Sequence, residues 1–232
     1  MGLLEIASAT MRNGERRVEI AAQNAVNTET PGYKAQVAFN EISTDSATSD
    51  LQVEPPRTQV QHRTNQGAIF DTGEALDFAV DGTGFFLVRE GEGFSLTRSG
   101  KFGIDAQGAL VDAQGRVLQL ASGGDALTST YGLEVLADGT MLDGSAVIGT
   151  IGLFEPGPSF TNQSLSADDL STLDEAQDSE IRQAMLERSN VTLSDEMVEL
   201  MQAQRQVESG AQLIRAYDTL LDRAINTFGR NS

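Results

Sequence analysis

Apolar residues recur at steps of three and four near both ends of the chain. Near the N-terminus Leu4, Ala7, Met11, Gly14, Val18, Ala21 and Ala25 follow one another at alternating steps of 3 and 4. That period predicts a helix with a coiled-coil-type seam. Its seam residues are small, so a partner helix can approach closely while each residue buries little area. The helix is about 33 Å long at ~1.5 Å per residue. It stops near Asn27–Thr30, because Pro31 disfavours helix at the residue before it and Gly32 follows. The C-terminal pattern is longer. From Leu193 the positions Met197, Leu200, Gln204, Val207, Ala211, Ile214, Asp218, Leu221, Ile225 and Phe228 keep the same steps, with Gln204 and Asp218 as the polar exceptions. This stripe predicts roughly 54 Å of helix. Thr192–Asp195 reads as a capping box in front of it, and Gly229 with Arg230 suits its C-terminal end. A helix of this kind is marginal alone and needs a partner for its stripe.

Between the two helices the pattern changes to short β-type runs. Leu76–Val80 alternates, and Phe85–Val88 is a brief apolar run. Phe94–Arg98, Phe102–Ile104, Ala109–Val111, Val117–Leu120, Leu133–Leu136 and Val147–Phe154 follow. Turn residues separate them: Asp81-Gly82, Ser99-Gly100, Asp105–Gly108, Asp112–Gly115, Gly123-Gly124, Asp138-Gly139 and Asp143-Gly144. Short strands with closely spaced turns predict a compact antiparallel β domain. The expected fold is therefore α+β, with N- and C-terminal coiled-coil-type helices flanking a Gly-rich antiparallel β domain. The segments are 1–34 (helix and turn), 35–66 (extended connector around Pro55-Pro56), 67–156 (β domain), 157–185 (second connector) and 186–232 (C-terminal helix).

Charge and glycine content sharpen this division. The 232 residues carry 34 acidic and 16 basic side chains, a net charge of −18. Residues 1–40 are neutral and residues 186–232 carry −2, so −16 belongs to the middle of the chain. Of 23 glycines, 18 lie between Gly67 and Gly157. Such a balance opposes binding to nucleic acid or anionic membrane, since both are polyanions. No apolar stretch is long enough to span a bilayer, and the N-terminus lacks the basic start and continuous apolar run of a Sec-type signal. There is no Cys, which removes disulfides, thiolate metal sites and cysteine nucleophiles.

Candidate chemistry is sparse. His62, the one histidine, sits in a polar run with no nucleophile elbow, and reads as a surface residue rather than a base. The Asp-Gly loops lack the carboxylate spacing of an EF-hand and the Gly-Lys-Ser/Thr of a phosphate loop. Asp and Gly are also the ordinary residues of tight turns. No enzyme activity, cofactor or metal is expected. The helical stripes can pair with each other within one chain. Each helix nevertheless keeps a second apolar edge, Leu3, Ile6 and Ile20 on the first and Met201, Leu213 and Leu220 on the second. We therefore expect at least one face to pack against another molecule.

Three blocks resemble the rod and hook family of bacterial flagellar axial proteins. The first is QNAVNTETPGYK (Gln23–Lys34), similar to the family's NNxANxxTPGYK, with Gln23 and Val26 departing from it. The second is LDFAVDGTGFFLV (Leu76–Val88) with LTRSGKFGIDAQGALVDAQGRVL (Leu96–Leu118). The third begins LERSNVTLSDEMVELMQAQRQVE (Leu186–Glu208) and is similar to SNVxxxxEMxxxIxxQRxxE. The blocks occur in the family's order, and the short length favours a proximal-rod subunit over a hook protein, with a distal-rod subunit as the neighbouring alternative.

The resemblance implies a structural subunit that is exported by the flagellar type III apparatus without a cleaved signal. It would fold at the growing periplasmic tip and polymerise with other rod subunits through its terminal helices to carry torque. The acidic β domain would then lie outside the helical tube. Assembly residues implied on this basis are Leu4, Met11 and Val18 of the first helix. They continue through Asn24, Asn27, Thr30, Pro31, Gly32, Tyr33 and Lys34 of the first block. Ser189, Asn190, Val191, Leu193, Met197, Leu200, Gln204, Arg205, Val207, Ile214, Leu221 and Ile225 complete the set. Neither nucleic acid nor membrane insertion enters this picture. Outside the family, a cation-binding β protein that oligomerises by its helices is the alternative.

Overall fold

The computed structural model describes residues 3–41, 57–128, 132–157, 165–166 and 169–229. Pro55-Pro56 and Arg230 lie outside them. The fold is α+β, as expected: helices α1 (Leu3–Val26) and α2 (Leu193–Gly229) bracket a run of short antiparallel strands. The strands are β1 (Gln36–Glu41), β2 (Arg57–His62), β3 (Ile69–Asp71), β4 (Phe78–Asp81), β5 (Phe85–Glu90), β6 (Gly93–Thr97), β7 (Gly103–Ile104) and β8 (Leu110–Val111). They continue with β9 (Val117–Leu118), β10 (Leu133–Val135), β11 (Thr140–Asp143), β12 (Ala146–Thr150), β13 (Leu153–Phe154), β14 (Glu180–Gln183) and β15 (Met185–Glu187). The chain divides into two compact units, one of residues 1–26, 36–61 and 192–232, the other of residues 27–35 and 62–191.

In the first unit α1 and α2 pack antiparallel, and β1 pairs with β2. The contact line is made of small residues. Ala7, Ala21 and Ala203 are fully buried. A Cβ added to Gly14 would stand 2.8 Å from Val207 Cγ2, and one added to Gly210 would stand 3.1 Å from the Ala7 carbonyl. Backbone therefore meets side chain and backbone directly, and larger residues at these two points would push the helices apart.

The second unit holds the sheets. The largest has the order β13-β5-β9-β8-β7, with β6 also on β5; β10-β11-β12 form a three-stranded sheet, and β14 pairs with β4 and β15 with β3. Strand β5 explains the apolar run in the sequence. Side chains alternate across a strand, so Phe86 and Val88 enter a core with Phe78, Leu110, Leu118, Met141 and Ile181. Phe85 and Leu87 enter a second cluster with Leu96 and Phe154. The strand is buried on both faces and needs apolar residues at successive positions. Phe86 meets Phe102 edge-on at 5.6 Å.

Most expected strands fall where the pattern puts them. The run Val147–Phe154 breaks into β12 and β13 at Ile151-Gly152. The segment 35–66 contains β1 and β2, and residues 180–187 form β14 and β15 before α2 starts at Leu193. The two Asp-Ala-Gln-Gly repeats are turns. Asp105 Oδ1 accepts from the Gln107 and Ala109 amides, and Asp112 Oδ1 from those of Gln114 and Arg116, at 2.8–2.9 Å. Gly108 and Gly115 complete them at φ of 84° and 79°, a region that costs glycine little.

Asp125 is gripped by the Arg89 guanidinium at 2.6 and 3.0 Å and by the Gln119 amide at 2.8 Å. The Arg89 bonds, followed by Gln119, hold this carboxyl below the usual aspartate range. A depressed folded-state pKa stabilises the fold above the unfolded value, about 3.9, and that contribution is lost as pH falls through the folded value. Asp125→Asn is expected to lower the urea midpoint near neutral pH. Its gap to wild type should narrow on acidification to about pH 3, below the unfolded aspartate value. A gap that stays constant would contradict this role.

Candidate functional site

Parts of all three sequence blocks, residues 27–34, 76–118 and 186–191, belong to the second unit. After α1 the chain turns at Asn27–Tyr33, where the Thr30 amide donates to the Asn27 carbonyl and the Tyr33 amide to the Thr30 carbonyl, both at 3.2 Å. Gly32 takes φ +70°, and a Cβ there would lie 2.2 Å from the Arg98 carbonyl oxygen. Only glycine allows so close a passage in that conformation. The Gly32 amide donates to the Glu187 carbonyl at 2.8 Å, so the Pro31-Gly32 turn is tied to strand β15, where the third block begins.

Asn190 of the third block closes the junction with its side chain. Its Oδ1 accepts from the Ala35 amide at 2.7 Å, and its Nδ2 donates to the Arg63 and Asn65 carbonyls at 3.1 and 2.9 Å. Its own amide donates to the Tyr33 carbonyl. A single asparagine thus satisfies two stretches of otherwise irregular backbone, residues 33–35 and 63–65, which need partners when taken from water. Ser189 Oγ accepts from the Val191 amide, and the Val191 side chain is buried.

At the centre lies a buried ionic group. Lys34 Nζ donates to Glu187 Oε1 and to the Asn65 carbonyl, each at 2.7 Å. Arg98 Nη1 donates to Glu187 Oε2 at 3.0 Å and to the Val80 carbonyl at 3.2 Å, while Nη2 reaches the Gly82 carbonyl at 2.5 Å. The Gly67 amide adds a 2.7 Å bond to Glu187 Oε1. Exposures are 5% for Lys34, 2% for Arg98 and 1% for Glu187. Burial pushes the Lys34 ammonium down against the opposing pull of Glu187, and it lowers Arg98 in the same way. The Arg98 guanidinium also lies 4.7 Å from the Phe85 ring centroid, a cation–π position. A cleft of about 320 Å³ opens beside the group, with Tyr33, His62 and Arg116 among its lining. His62 is half-buried rather than a surface residue. Its Nδ1 lies 3.2 Å from the Lys34 carbonyl, and burial lowers its pKa.

Sequence reasoning named Lys34 but not its partners. Arg98 and Glu187 stand inside the quoted blocks, but their neighbours Thr97, Ser99, Arg188 and Ser189 are polar or charged, so no local signal marks either as buried. Among the described residues no group of three or more acidic or histidine side chains is placed to hold a metal. No described helix is long and apolar enough to cross a membrane.

The remaining candidates belong to the first unit. Asn24 is buried and clamps β1: its Oδ1 accepts from the Gln36 amide, its Nδ2 donates to the Gln36 carbonyl, and the same Nδ2 reaches Glu196 at 3.1 Å. Arg17 pairs with Glu199 and bonds Gln206. Met11, Val18, Leu200, Val207 and Ile214 are half-buried. Leu4, Leu193, Met197, Gln204, Arg205 and Leu221 are exposed, and the side chain of Ile225 lies outside the described residues. Asn27, Pro31 and Tyr33 are half-buried and Thr30 is exposed. On α2 the closed seam therefore runs through Leu200, Ala203, Val207 and Gly210. It shares only alternate members with the apolar stripe.

Glu187→Gln removes the one carboxylate shared by two buried cations. Breaking a buried pair in this way costs about 3–5 kcal/mol, read as a fall in the urea midpoint. A loss under about 1 kcal/mol, the scale of an exposed pair, would contradict the assignment.

Residues 182–227 match the family described as flagellar basal body rod FlgEFG protein C-terminal, and residues 79–150 match the flagellar hook protein FlgE/F/G D1 domain. The flagellar basal-body rod protein FlgF of Rhizobium meliloti is 30% identical over 97% of this chain and 97% of its own length. The rod protein FlgG of Bacillus subtilis is 27% identical over 93% and 95%. The hook protein FlgE of Rhizobium meliloti is 34% identical over 50% of this chain but only 30% of its own. The shared blocks and the full-length match agree, and the chain belongs to the family of flagellar basal-body rod proteins, structural components rather than enzymes.

Proposed function

We propose that the chain is a rod subunit that polymerises through α1 and α2 with copies of itself and related axial proteins, transmitting torque from motor to hook. One observation carries this reading. The α1–α2 seam is closed by alanine and glycine, yet α2 still exposes Leu193, Met197, Val198, Met201, Leu213, Leu220 and Leu221, at 43–62% of their surface. Apolar area of that extent along one long helix gains free energy, about 25 cal/mol per Å², only when another molecule covers it. Coiled-coil packing between subunits supplies such a cover.

Within this reading the helices of segments 1–34 and 186–232, α1 and α2, build the tube, and 67–156 forms most of the β domain. Leu4, Met11, Val18, Leu193, Met197, Gln204, Arg205, Leu221 and Ile225 serve contacts between subunits. Asn24, Lys34 and Asn190 act indirectly, by fixing the chain where α1 ends and α2 begins. Export by the type III apparatus into the periplasm fits a chain that has no cysteine.

Deletion of the gene is expected to abolish motility and to stop the basal body short of the hook, as seen by electron microscopy. Met197, 56% exposed, supplies a finer test. Met197→Glu should keep the thermal transition of the purified chain within about 2–4 °C of wild type, the shift that ~1 kcal/mol produces in a chain of this size. It should nevertheless fail to restore swimming. Full motility in that strain would remove the helical face from assembly.

A further inference from the structure

The chain has no cysteine, so its six methionines hold its only sulfur atoms. No thiolate competes for an oxidant, and the thioethers are the groups that react with a peroxide. They differ sharply in access. Met141 is fully buried in the core of the second unit. Met11 and Met185 are half-buried, and Met11 is hemmed in at the seam, where a Cβ added to Gly210 would stand 3.1 Å from its own Cβ. Met197 and Met201 are 56% and 52% exposed, the most open thioethers among the described residues. Met1 lies outside those residues.

The two open methionines form one patch. A spacing of four places them about 40° apart on α2, at ~100° per residue. Exposed Leu193, four residues before Met197, continues the same side. Ala203, fully buried at the seam, lies about 120° round the helix from Met197 and about 160° from Met201. The pair therefore faces away from α1. A change of polarity at these two sulfurs leaves the intrachain seam untouched and alters only the outward face.

We propose that Met197 and Met201 are a paired oxidation site, which hydrogen peroxide converts to sulfoxides in the free subunit, and that the sulfoxide pair keeps that subunit out of the assembly. The second half rests on the reading of the outward face of α2 as an assembly surface, and it adds a redox control to that surface. In each step a sulfur lone pair attacks one peroxide oxygen. The O–O bond breaks, an S=O bond forms and water leaves; the sulfur is oxidised by two electrons and the peroxide is reduced by two. The product is polar and its oxygen accepts hydrogen bonds from water. Covering it against an apolar neighbour then carries a desolvation cost that a thioether does not.

The test begins with the purified full-length chain in dilute hydrogen peroxide, with sulfoxide followed residue by residue by peptide mass spectrometry. Met197 and Met201 should oxidise about tenfold faster than Met141, following their exposure. The treated chain should keep its helical circular dichroism. Met141 reacting as fast as the pair, or helix lost as the pair is consumed, overturns the site. The exclusion step is tested in the deletion strain. Met197→Gln/Met201→Gln, which places a polar carbonyl where each sulfoxide would stand, is compared with Met197→Leu/Met201→Leu, a volume-conserving apolar pair. With both purified chains folded, the Leu pair should spread about threefold further in soft agar than the Gln pair, because only the Gln pair must be desolvated. Equal spreading overturns the exclusion step. The rod reading is judged separately: a deletion strain that swims normally removes it, while the order of oxidation in the purified chain still decides the site.

Discussion

Glu187 is the group on which the middle of this protein depends. It gathers Lys34, Arg98 and the Gly67 amide into one buried site, while its own carbonyl receives Gly32. Taking three charges out of water is costly, and the cost is offset only where geometry and hydrogen bonding are complete. Nearly every donor here is met: Lys34 by a carboxylate and a carbonyl, Arg98 by a carboxylate and two carbonyls. The Arg98 Nε–H is the one buried side-chain atom without a partner among the described residues. Such a group contributes less to net stability than to selection of one arrangement, because any misplacement leaves a charge buried and unpaired. It determines how residues 30–34, 97–100 and 186–190 lie against one another, and those are the segments that the family patterns single out.

The helix pair follows a different logic. Its seam is made by the smallest side chains, so the free energy of closing it per residue is modest and its register depends on fit. Gly14 against Val207 and Gly210 against Ala7 admit no Cβ without displacement. Around that narrow line the chain keeps its larger apolar residues, above all Met197, Met201 and Leu220, exposed. A monomeric soluble helix would place them inward. In the proposed assembly the close intramolecular contact serves folding of the subunit, and the bulky outward face serves growth of the polymer.

Much of this was legible before any tertiary information. The 3–4 spacing announced both helices, and Pro31-Gly32 announced the end of the first within a few residues. The Asp-Ala-Gln-Gly repeats announced turns, since an Asx oxygen and a following glycine at positive φ need no distant partner. The strands β14 and β15 were not legible: the residues that precede Asn190 look like a connector. They become strands by pairing with β4 and β3, about a hundred residues earlier. Strand character of that kind resides in the partner as much as in the segment. His62 was misread for the same reason. Its polar neighbours describe a surface run, and only the fold brings the Lys34 carbonyl to its ring.

The sequence by itself determined a long helix near each end and a glycine-rich acidic β middle, because periodicity, turn chemistry and composition act over a few residues. Which face of α2 closes on α1 was decided in three dimensions. Two overlapping stripes share Leu200, Val207 and Ile214, and choosing Ala203 and Gly210 over Met197 and Gln204 depends on what Gly14 and Ala7 can accommodate. That Lys34, Arg98 and Glu187 are one group was likewise beyond the linear pattern. A charged residue looks the same in sequence whether it is solvated or buried; only the packing around it sets the desolvation cost and so demands that the three meet.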